Sequence, residues 1–281
     1  MPVINTNVNS LNAQNALTSN ARLMSNAMDQ LSTGKRVNGS KDDAAGVAVI
    51  NTMTAQIRGL NQAVKNANDA VSLLQTADGA MIEQTNMLQR MRELAVQAST
   101  DTVTTSQKGF LQIEFAALRT EIDRIGANTQ WNDTKILDGS APASGTAGSF
   151  VFQIGTDNSA TSTITVTLPT ASTTTTYAAV SASTIATSTG AQAAVTSIDT
   201  AFGLLNTARA NIGAGINQLT YAADNLSNIS ANTSGSRSRI QDTDYAVAAA
   251  ELARTQIIQQ AGTAMLAQAN QAPQSVLALL K

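Results

Sequence analysis

The sequence predicts a mainly α-helical protein: a long coiled-coil-like helical bundle formed by the N- and C-terminal segments, with a small central insertion that contains a β-hairpin. Apolar residues recur every seven positions in both halves of the chain, which is typical of helices that pack along one another. The period changes to two near residue 150, which is typical of strands. Aromatic residues make up only 3% and charged residues only 13% of the 281 residues. Such a composition favours thin, extended packing over a globular core of large side chains.

The longest heptad pattern predicts one helix from about Asp43 to Ala98. It has two rows of apolar residues offset by three: Ile50, Ile57, Val64 and Val71, and then Met53, Leu60, Ala67, Leu74, Met81, Leu88 and Ala95. A second helix is predicted from apolar residues that alternate by four and three between Leu111 and Ile125. Its expected N-cap lies within 104–106, and Gly126 is its expected stop. This second helix should fold back on the first.

A third long helix is predicted over about 192–235. Its two rows are Ile198, Leu205, Ile212, Leu219 and Leu226, and then Ala201, Ala208, Gly215, Ala222 and Ile229. The chain ends carry weaker rows of the same kind: Leu17, Ala21, Met24, Met28 and Leu31 near the start, and Ile258, Met265, Ala272 and Leu279 near the end. Because isolated helices are marginally stable, these terminal segments are expected to pair with each other or with other copies of the chain.

The central segment, residues 140–191, is rich in Ser, Thr, Ala and Gly. Alternating apolar residues at 150–154 and 164–168 predict the two strands of a hairpin, with the turn at 155–161. The runs that follow, at 173–176 and 181–190, are of low complexity and are interpreted as solvent-facing loops.

Composition also argues against several functions. Cys and His are both absent, so thiolate nucleophiles, disulfides and imidazole chemistry are excluded. The net charge is −2 and no Lys/Arg cluster is present, so no nucleic-acid partner is expected. The first residues lack a secretory-signal pattern, and no apolar run reaches the roughly 18–20 residues that span a bilayer. We therefore expect no cleaved signal, no membrane partner, no cofactor, no metal and no enzymatic activity.

Two acidic pairs need an interpretation. Asp42 and Asp43 are either a metal or acid–base pair or the start of the long helix. No further ligands are apparent in the sequence, whereas Ser40 and Asp43 have the spacing of a capping box and negative charge suits the first helical turn. The sequence therefore favours capping at this pair.

The other pair, Asp242 and Asp244, resembles the start of a calcium loop. The sixth position of that loop is Val247 instead of Gly, and the twelfth is Ala253, which is not a ligand. A helix N-cap ahead of Tyr245 is the favoured interpretation.

Both ends of the chain resemble bacterial flagellins. The resemblance covers residues 1–139 and about 192–281 and depends on six motifs: INTNVNSLNAQ at 4–14, LSTGKRVNGSKDDAAGVAV at 31–49, QIRGLNQAVKNANDAVSLLQTADGA at 56–80, LQRMRELAVQA at 88–98, SRIQDTDYA at 238–246 and LAQANQAPQSVLALL at 266–280. The resemblance implies a structural subunit that polymerises head-to-tail into a motility filament. It also implies recognition by innate immune receptors.

The resemblance implies a layered organisation. Residues 1–42 and 236–281 would form an inner layer that is disordered before assembly, 43–139 and 192–235 a helical rod, and 140–191 a short outward segment. Export through the flagellar type III apparatus to an extracellular filament is implied. The implied partners are other copies of the chain, hook–filament junction proteins, the filament cap, an export chaperone, and Toll-like receptors and plant receptor kinases of hosts.

Particular residues are implicated in assembly and recognition. Apolar residues of the two ends are expected to drive filament assembly: Ile4, Val8, Leu11, Leu17, Met24, Leu31, Ile258, Met265 and Leu279. By resemblance, residues of the segment 29–50 match the peptide sensed by a plant receptor kinase, among them Ser32, Gly34, Asp42 and Asp43. Four further residues match positions that bind a Toll-like receptor: Gln89, Arg90, Leu94 and Glu114.

Two alternatives remain open on the sequence. The first is a hook–filament junction protein of the same family, an adaptor present in few copies, which long seeded filaments would exclude. The second is a carboxylate–metal enzyme built on the pairs 42/43 and 242/244. Calorimetric titration with calcium, magnesium and manganese distinguishes that enzyme from the capping interpretation.

Overall fold

The structure, a computed structural model, describes residues 6–139, 148–157, 159–171 and 177–278, without the side chains of 272–278. The described residues form six α-helices and two short antiparallel hairpins. In chain order the elements are α1 (Val8–Thr33), α2 (Ala44–Ser99), α3 (Thr105–Asn128), β1 (Gln130–Trp131), β2 (Thr134–Lys135), β3 (Ser149–Gln153), β4 (Thr163–Thr167), α4 (Ala178–Ser181), α5 (Ser188–Gln241) and α6 (Tyr245–Ala278). The predicted fold class is confirmed.

The chain divides into two compact units. One, called here the terminal unit, comprises residues 1–57 and 231–281, and the other, called the rod unit, comprises residues 58–230. The terminal unit contains the pair α1 and α6. The rod unit contains α3, both hairpins and most of α2 and α5.

In the rod unit, α2 packs antiparallel to both α3 and α5. The Gln84 side chain of α2 donates to the Ile122 carbonyl of α3 across 3.2 Å. Further along α2, Arg92 pairs with Asp199 of α5 at 2.8 Å. The second helix therefore folds back on the first, as the sequence predicted.

Much of the predicted heptad rows forms the core of the rod unit, but Val64 and Val71 are only partly buried and Ile229 is 42% exposed. Met81, Leu88 and Ala95 of α2 are fully buried, and so are Ile198 and Leu205 of α5. The burial of these five residues confirms the period of 3.5 along both helices.

The predicted ends of two helices need correction. Helix α5 extends over Ser188–Gln241 instead of 192–235. Helix α3 begins after the capping box of Thr104 and Gln107, as predicted, but continues past Gly126 to Asn128. Gly126 is buried in the last turn, where the Ala171 carbonyl lies too close for any β carbon. This glycine therefore permits a close backbone contact and does not end the helix.

The predicted central hairpin is present. Strands β3 and β4 pair antiparallel, with Phe150 opposite Val166 and Phe152 opposite Ile164. Phe150, Ile164 and Val166 are buried in the core of the rod unit. The hairpin is therefore part of the rod unit's core, and the side chain of Asn66 on α2 binds its Gln153 carbonyl at 3.1 Å.

The loop interpretation of 181–190 is wrong in part. Ile185 is fully buried, and its backbone N–H donates to the Gln112 side chain of α3 at 2.7 Å. Arg119 donates to the Ser181 carbonyl at 2.8 Å. The low-complexity composition of this segment gave no sign that Ile185 is buried. The predicted loop at 173–176 lies outside the described residues.

Candidate functional site

Asp42 and Asp43 both bind backbone N–H groups. Asp43 Oδ1 accepts from the N–H of Gly46 at 2.8 Å, which makes Asp43 itself the N-cap of α2. Asp42 Oδ2 accepts from the N–H groups of Asn38 and Gly39 at 3.1 and 3.0 Å. The capping interpretation is thus correct. The proposed capping box with Ser40 is wrong, because Asp43 alone caps the helix by accepting from the N–H of Gly46, three positions further along the chain.

The other predicted recognition residues lie at the end of α1. Gly34 is the C-cap, with φ 68°, and its N–H donates to the Gln30 carbonyl. A β carbon at Gly34 would lie 3.1 Å from the Tyr245 hydroxyl oxygen, so the glycine is needed for both conformation and space. Ser32 is exposed. Because Thr243 N–H also donates to the Gly34 carbonyl, this turn joins the two chain ends within the terminal unit.

Asp244 caps α6 as predicted. Its Oδ1 accepts from the N–H groups of Ala246 and Val247 at 2.9 and 3.4 Å. Asp242 accepts from the Ser238 hydroxyl. Within the described ranges, no group of three or more carboxylates is placed to hold a metal ion. In each pair the second aspartate therefore caps a helix, and the first binds a group that precedes it in the chain.

Helices α1 and α6 pack along each other. On α1, Leu17, Met24 and Leu31 are half-buried, as expected of the predicted row. The buried residues between them are Asn20 and Ala27, not the predicted Ala21 and Met28. The face of α1 that meets α6 is therefore rotated by about one residue from the prediction, and it contains a buried amide.

The predicted row on α6 does not face α1. Ala248 and Thr255 are 3% and 1% exposed, and Gly262 and Ala269 continue this row of small residues at intervals of seven. The sequence left open whether the row of Ile258 and Met265 pairs with the other chain end or with other copies, and these two residues lie outside the seam of the pair. The small residues of α6 face α1 because they allow the two backbones to approach closely.

Several larger apolar residues of the pair are left exposed. Val8 and Leu11 of α1 are 53% and 51% exposed, and Ile258 and Met265 of α6 are 43% and 65% exposed. Ile4 and Leu279 lie outside the described residues. Exposed apolar residues in such a concentration mark an interaction surface.

The rod unit carries a charged surface where α2 meets α3. Arg90 of α2 pairs with Glu114 of α3 and with Glu93, both at 2.9 Å. The hydrogen bonds to Glu114 and then to Glu93 raise the pKa of Arg90. Gln89 is exposed beside this cluster, but Leu94 is only 1% exposed and lies in the core. Of the four residues proposed for an animal receptor, three are therefore accessible in the subunit.

Sequence patterns did not reveal two buried polar residues of the rod unit. Gln84 is fully buried, and its amide nitrogen donates to the carbonyls of Ile122 and Ala171. Lys108 is 6% exposed, and its ammonium donates to the Ser188 hydroxyl at the start of α5. Neither residue interrupts the helical pattern of its segment, so the sequence does not show that either side chain is buried. Only the tertiary structure identifies them as buried.

Comparisons with known proteins agree on one family. Residues 4–142 match the bacterial flagellin N-terminal helical region, and residues 195–280 match the bacterial flagellin C-terminal helical region. Over 279 residues, the chain is 41% identical to a flagellin of Halalkalibacterium halodurans, covering 99% of this chain and 100% of that protein. It is 36% identical over 286 residues to a flagellin of Listeria monocytogenes, covering 99% of each. Among solved structures, the Bacillus cereus flagellin crystal structure is 30% identical with a TM-score of 0.49, covering 58% of this chain and 88% of that one.

Long antiparallel helices and a terminal pair with exposed apolar residues are features of a structural subunit that packs against further chains. The chain belongs to the bacterial flagellin family, which is a family of structural proteins and not of enzymes. It polymerises with copies of itself into the flagellar filament, the structure that drives swimming. In the part of the chain that the structure describes, no helix is long and apolar enough to cross a membrane.

Proposed function

We propose that the terminal helix pair is the element through which copies of this chain join in the filament. The observation that carries this proposal is the outward placement of Ile258 and Met265, which are exposed while small residues of α6 face α1. Val8 and Leu11 add exposed apolar area on α1. Ile4 and Leu279 extend these two rows in sequence and belong to the same proposal.

Burial of this surface between copies supplies the driving force. Each large aliphatic side chain moved from water into an interface contributes about 1.5–3 kcal/mol. Since the contact joins different surfaces of successive copies, it does not close on itself and the assembly grows as an open helix. In this proposal residues 1–42 and 236–281 form the inner layer of the filament, and they become stably ordered only when neighbouring copies cover their exposed apolar residues.

Seeded polymerisation of full-length variants tests this proposal. Replacing both Ile258 and Met265 with Ser should slow elongation and raise the concentration of unpolymerised subunit at least tenfold, because apolar burial is lost at two sites. The matched control replaces Gln256 and Gln260 of the same helix with Ser and should polymerise normally. Equal filament yields from both double variants would exclude the proposed surface. A wild-type chain that adds only a few copies to each seed would instead identify a hook–filament junction adaptor.

The remaining partners follow from the filament. The filament has a base and a tip, so a hook–filament junction protein and a cap protein would contact the terminal or rod surfaces at its ends. An export chaperone would cover the exposed apolar residues of α6 before assembly, and the type III apparatus would carry the chain to the extracellular filament. A chain without cysteine suits export in an unfolded state, because no disulfide restricts it.

We also propose that host receptors recognise two surfaces of the subunit. The first is the turn that holds Ser32, Gly34, Asp42 and Asp43, where Ser32 and Asp42 are exposed. The second is the cluster of Gln89, Arg90 and Glu114, whose ionic side chains are about half exposed. Leu94 supports the second surface from within the core and is not proposed as a direct contact.

A further inference from the structure

Apolar packing between α1 and α6 determines their register only in part. The α6 side of the seam repeats small residues every seven positions, at Ala248, Thr255, Gly262 and Ala269. A shift of one heptad would replace all but the last of these residues, counted in the direction of the shift, with another small one. Leu17 gives one exception: a β carbon at Gly262 would lie 2.7 Å from its Cδ2, so the leucine fits above the glycine better than above Ala269.

Asn20 distinguishes the observed register from its alternatives. It is 5% exposed, and its Nδ2 donates to the Thr255 carbonyl at 2.8 Å and to Gln259 Oε1 at 3.1 Å. Both N–H donors of this buried amide are therefore satisfied. In a register shifted by seven, the amide would lie opposite Leu252 or Leu266 instead of Gln259, and one donor would lose its side-chain partner.

A second amide agrees with the same register. Nδ2 of Asn7 donates to the Ala269 carbonyl at 2.7 Å, while its Oδ1 accepts from the Ser10 N–H and caps α1. Asn7 and Asn20 are thirteen residues apart on α1, and their acceptors, Ala269 and Thr255, are fourteen apart on α6. At a rise of 1.5 Å per residue, these two contacts are separated by about 20 Å along both helices. One alignment of the helices satisfies both amides.

We propose that Asn20, assisted by Asn7, is the positioning residue that fixes the register of α1 on α6. A single buried amide in a helix pair specifies alignment at some cost in stability, because a misaligned pair leaves its donors unsatisfied. The register in turn decides where Ile258 and Met265 lie relative to Val8 and Leu11, and so it determines the shape of the exposed apolar surface. The inference rests on the proposed role of this surface in assembly.

Disulfide cross-linking in filaments tests this assignment, because the wild-type chain has no cysteine. One reporter chain carries Leu17→Cys with Gly262→Cys and detects the observed register. A second carries Leu17→Cys with Ala269→Cys and detects a shift of one heptad. Each is copolymerised at a low fraction with excess wild-type chain, so that a filament forms even if a variant assembles poorly alone, and intrachain disulfides are quantified after the filaments are pelleted and oxidised.

Asn20→Leu and Asn20→Ala are each introduced into both reporter chains. We expect the 17/262 disulfide to fall about fivefold or more relative to the 17/269 disulfide in both variants, as expected when one satisfied pair of hydrogen bonds is removed. Alanine is included because it favours helix formation, so a loss of register in that variant is not a loss of helix. Asn15→Leu, at an exposed position of α1, is the matched control and should leave the ratio unchanged.

An unchanged ratio in the Asn20 variants, with normal filaments, would overturn the assignment and leave the assembly proposal intact. The same holds if Asn15→Leu changes the ratio as much as Asn20→Leu does. A wild-type chain that forms no filaments would overturn the assembly proposal itself. The two failures are therefore distinguishable.

Discussion

Gly215 of α5 lies directly against Val166 of β4, which fixes the central hairpin on the rod. A β carbon at Gly215 would be 2.9 Å from Cγ2 of Val166 and 3.4 Å from Cδ1 of Leu74. Contacts of this length require a neighbouring side chain to move. Glycine in a helix costs about 1 kcal/mol relative to alanine, so its presence here is explained by the space it leaves.

The first prediction compares two glycines of the same helix. Gly215→Ala should destabilise the rod unit by about 1 kcal/mol, because overpacking outweighs the gain in helix propensity. Gly213→Ala, where nothing lies within 4 Å of a β carbon, should stabilise it by about 0.5–1 kcal/mol. Urea unfolding followed by the fluorescence of Trp131, the single tryptophan of the chain, measures both. Equal stabilisation by the two substitutions would contradict the close contact.

The second prediction concerns pH. Tyr177 is 2% exposed, its hydroxyl has no hydrogen-bond partner among the described residues, and burial raises its pKa to about 12. An unfolded tyrosine ionises near pH 10 while the folded state keeps Tyr177 neutral up to about pH 12, so the stability of the folded state is unaffected by this ionisation below pH 10 and falls as the pH rises from 10 to 12.

Tyr177→Phe should therefore stabilise the rod unit at pH 8 by about 1 kcal/mol, since a desolvated hydroxyl without a partner is removed. The difference from wild type should grow by up to about 2 kcal/mol between pH 10 and 12. Tyr221→Phe, at a residue 76% exposed, is the control and should change little. A constant difference across this pH range would show that folding does not raise the pKa of Tyr177.

The third prediction tests the cap of α2. Asp43→Ala removes the acceptor of the Gly46 N–H and should accelerate hydrogen exchange of this amide in filaments about fivefold, equivalent to about 1 kcal/mol. Asp43→Asn keeps an acceptor oxygen and should exchange at nearly the wild-type rate. If asparagine failed to restore protection, the carboxylate charge would matter more than the hydrogen bond.

The fourth prediction separates stability from recognition at the rod surface. Arg90→Ala removes exposed ion pairs with Glu93 and Glu114, so the free energy of unfolding should change little. If this surface contacts a Toll-like receptor, activation of receptor-bearing cells should fall at least tenfold. Arg124→Ala removes the ion pair with Glu121, which provides a matched control with similar stability but normal activation. Equal activation by both variants would contradict the proposed receptor surface.

The sequence predicted the long helices well because they follow one physical rule. Apolar residues spaced by seven, such as Met81, Leu88 and Ala95, lie on one face of a helix, and that face is stable only when it is buried. All three residues are buried. The hairpin followed from alternation at Phe150 and Phe152 for the same reason. Ends of helices were less predictable, since Gly126 has the residue type of a stop but serves a contact with Ala171 that is distant in sequence.

The face of α6 that contacts α1 was not predictable from hydrophobicity alone. Ile258 and Met265 are the large apolar residues that a sequence pattern shows. The residues that pack closely against α1 are the smaller Thr255 and Gly262. Buried amides such as Asn20 are also missed, because their partners are carbonyl and amide groups of another helix. Polar contacts of this kind depend on the tertiary alignment and leave no periodic signal.

An electron cryomicroscopy map of the wild-type filament tests the central claim most directly. The measurement is the solvent exposure of Ile258 and Met265 in the assembled state, compared with 43% and 65% in the subunit. We predict that both side chains are buried against a neighbouring copy, with Asn20 still bonded to the Thr255 carbonyl. Filaments in which α1 and α6 are ordered but both side chains still face solvent would contradict assembly through this surface.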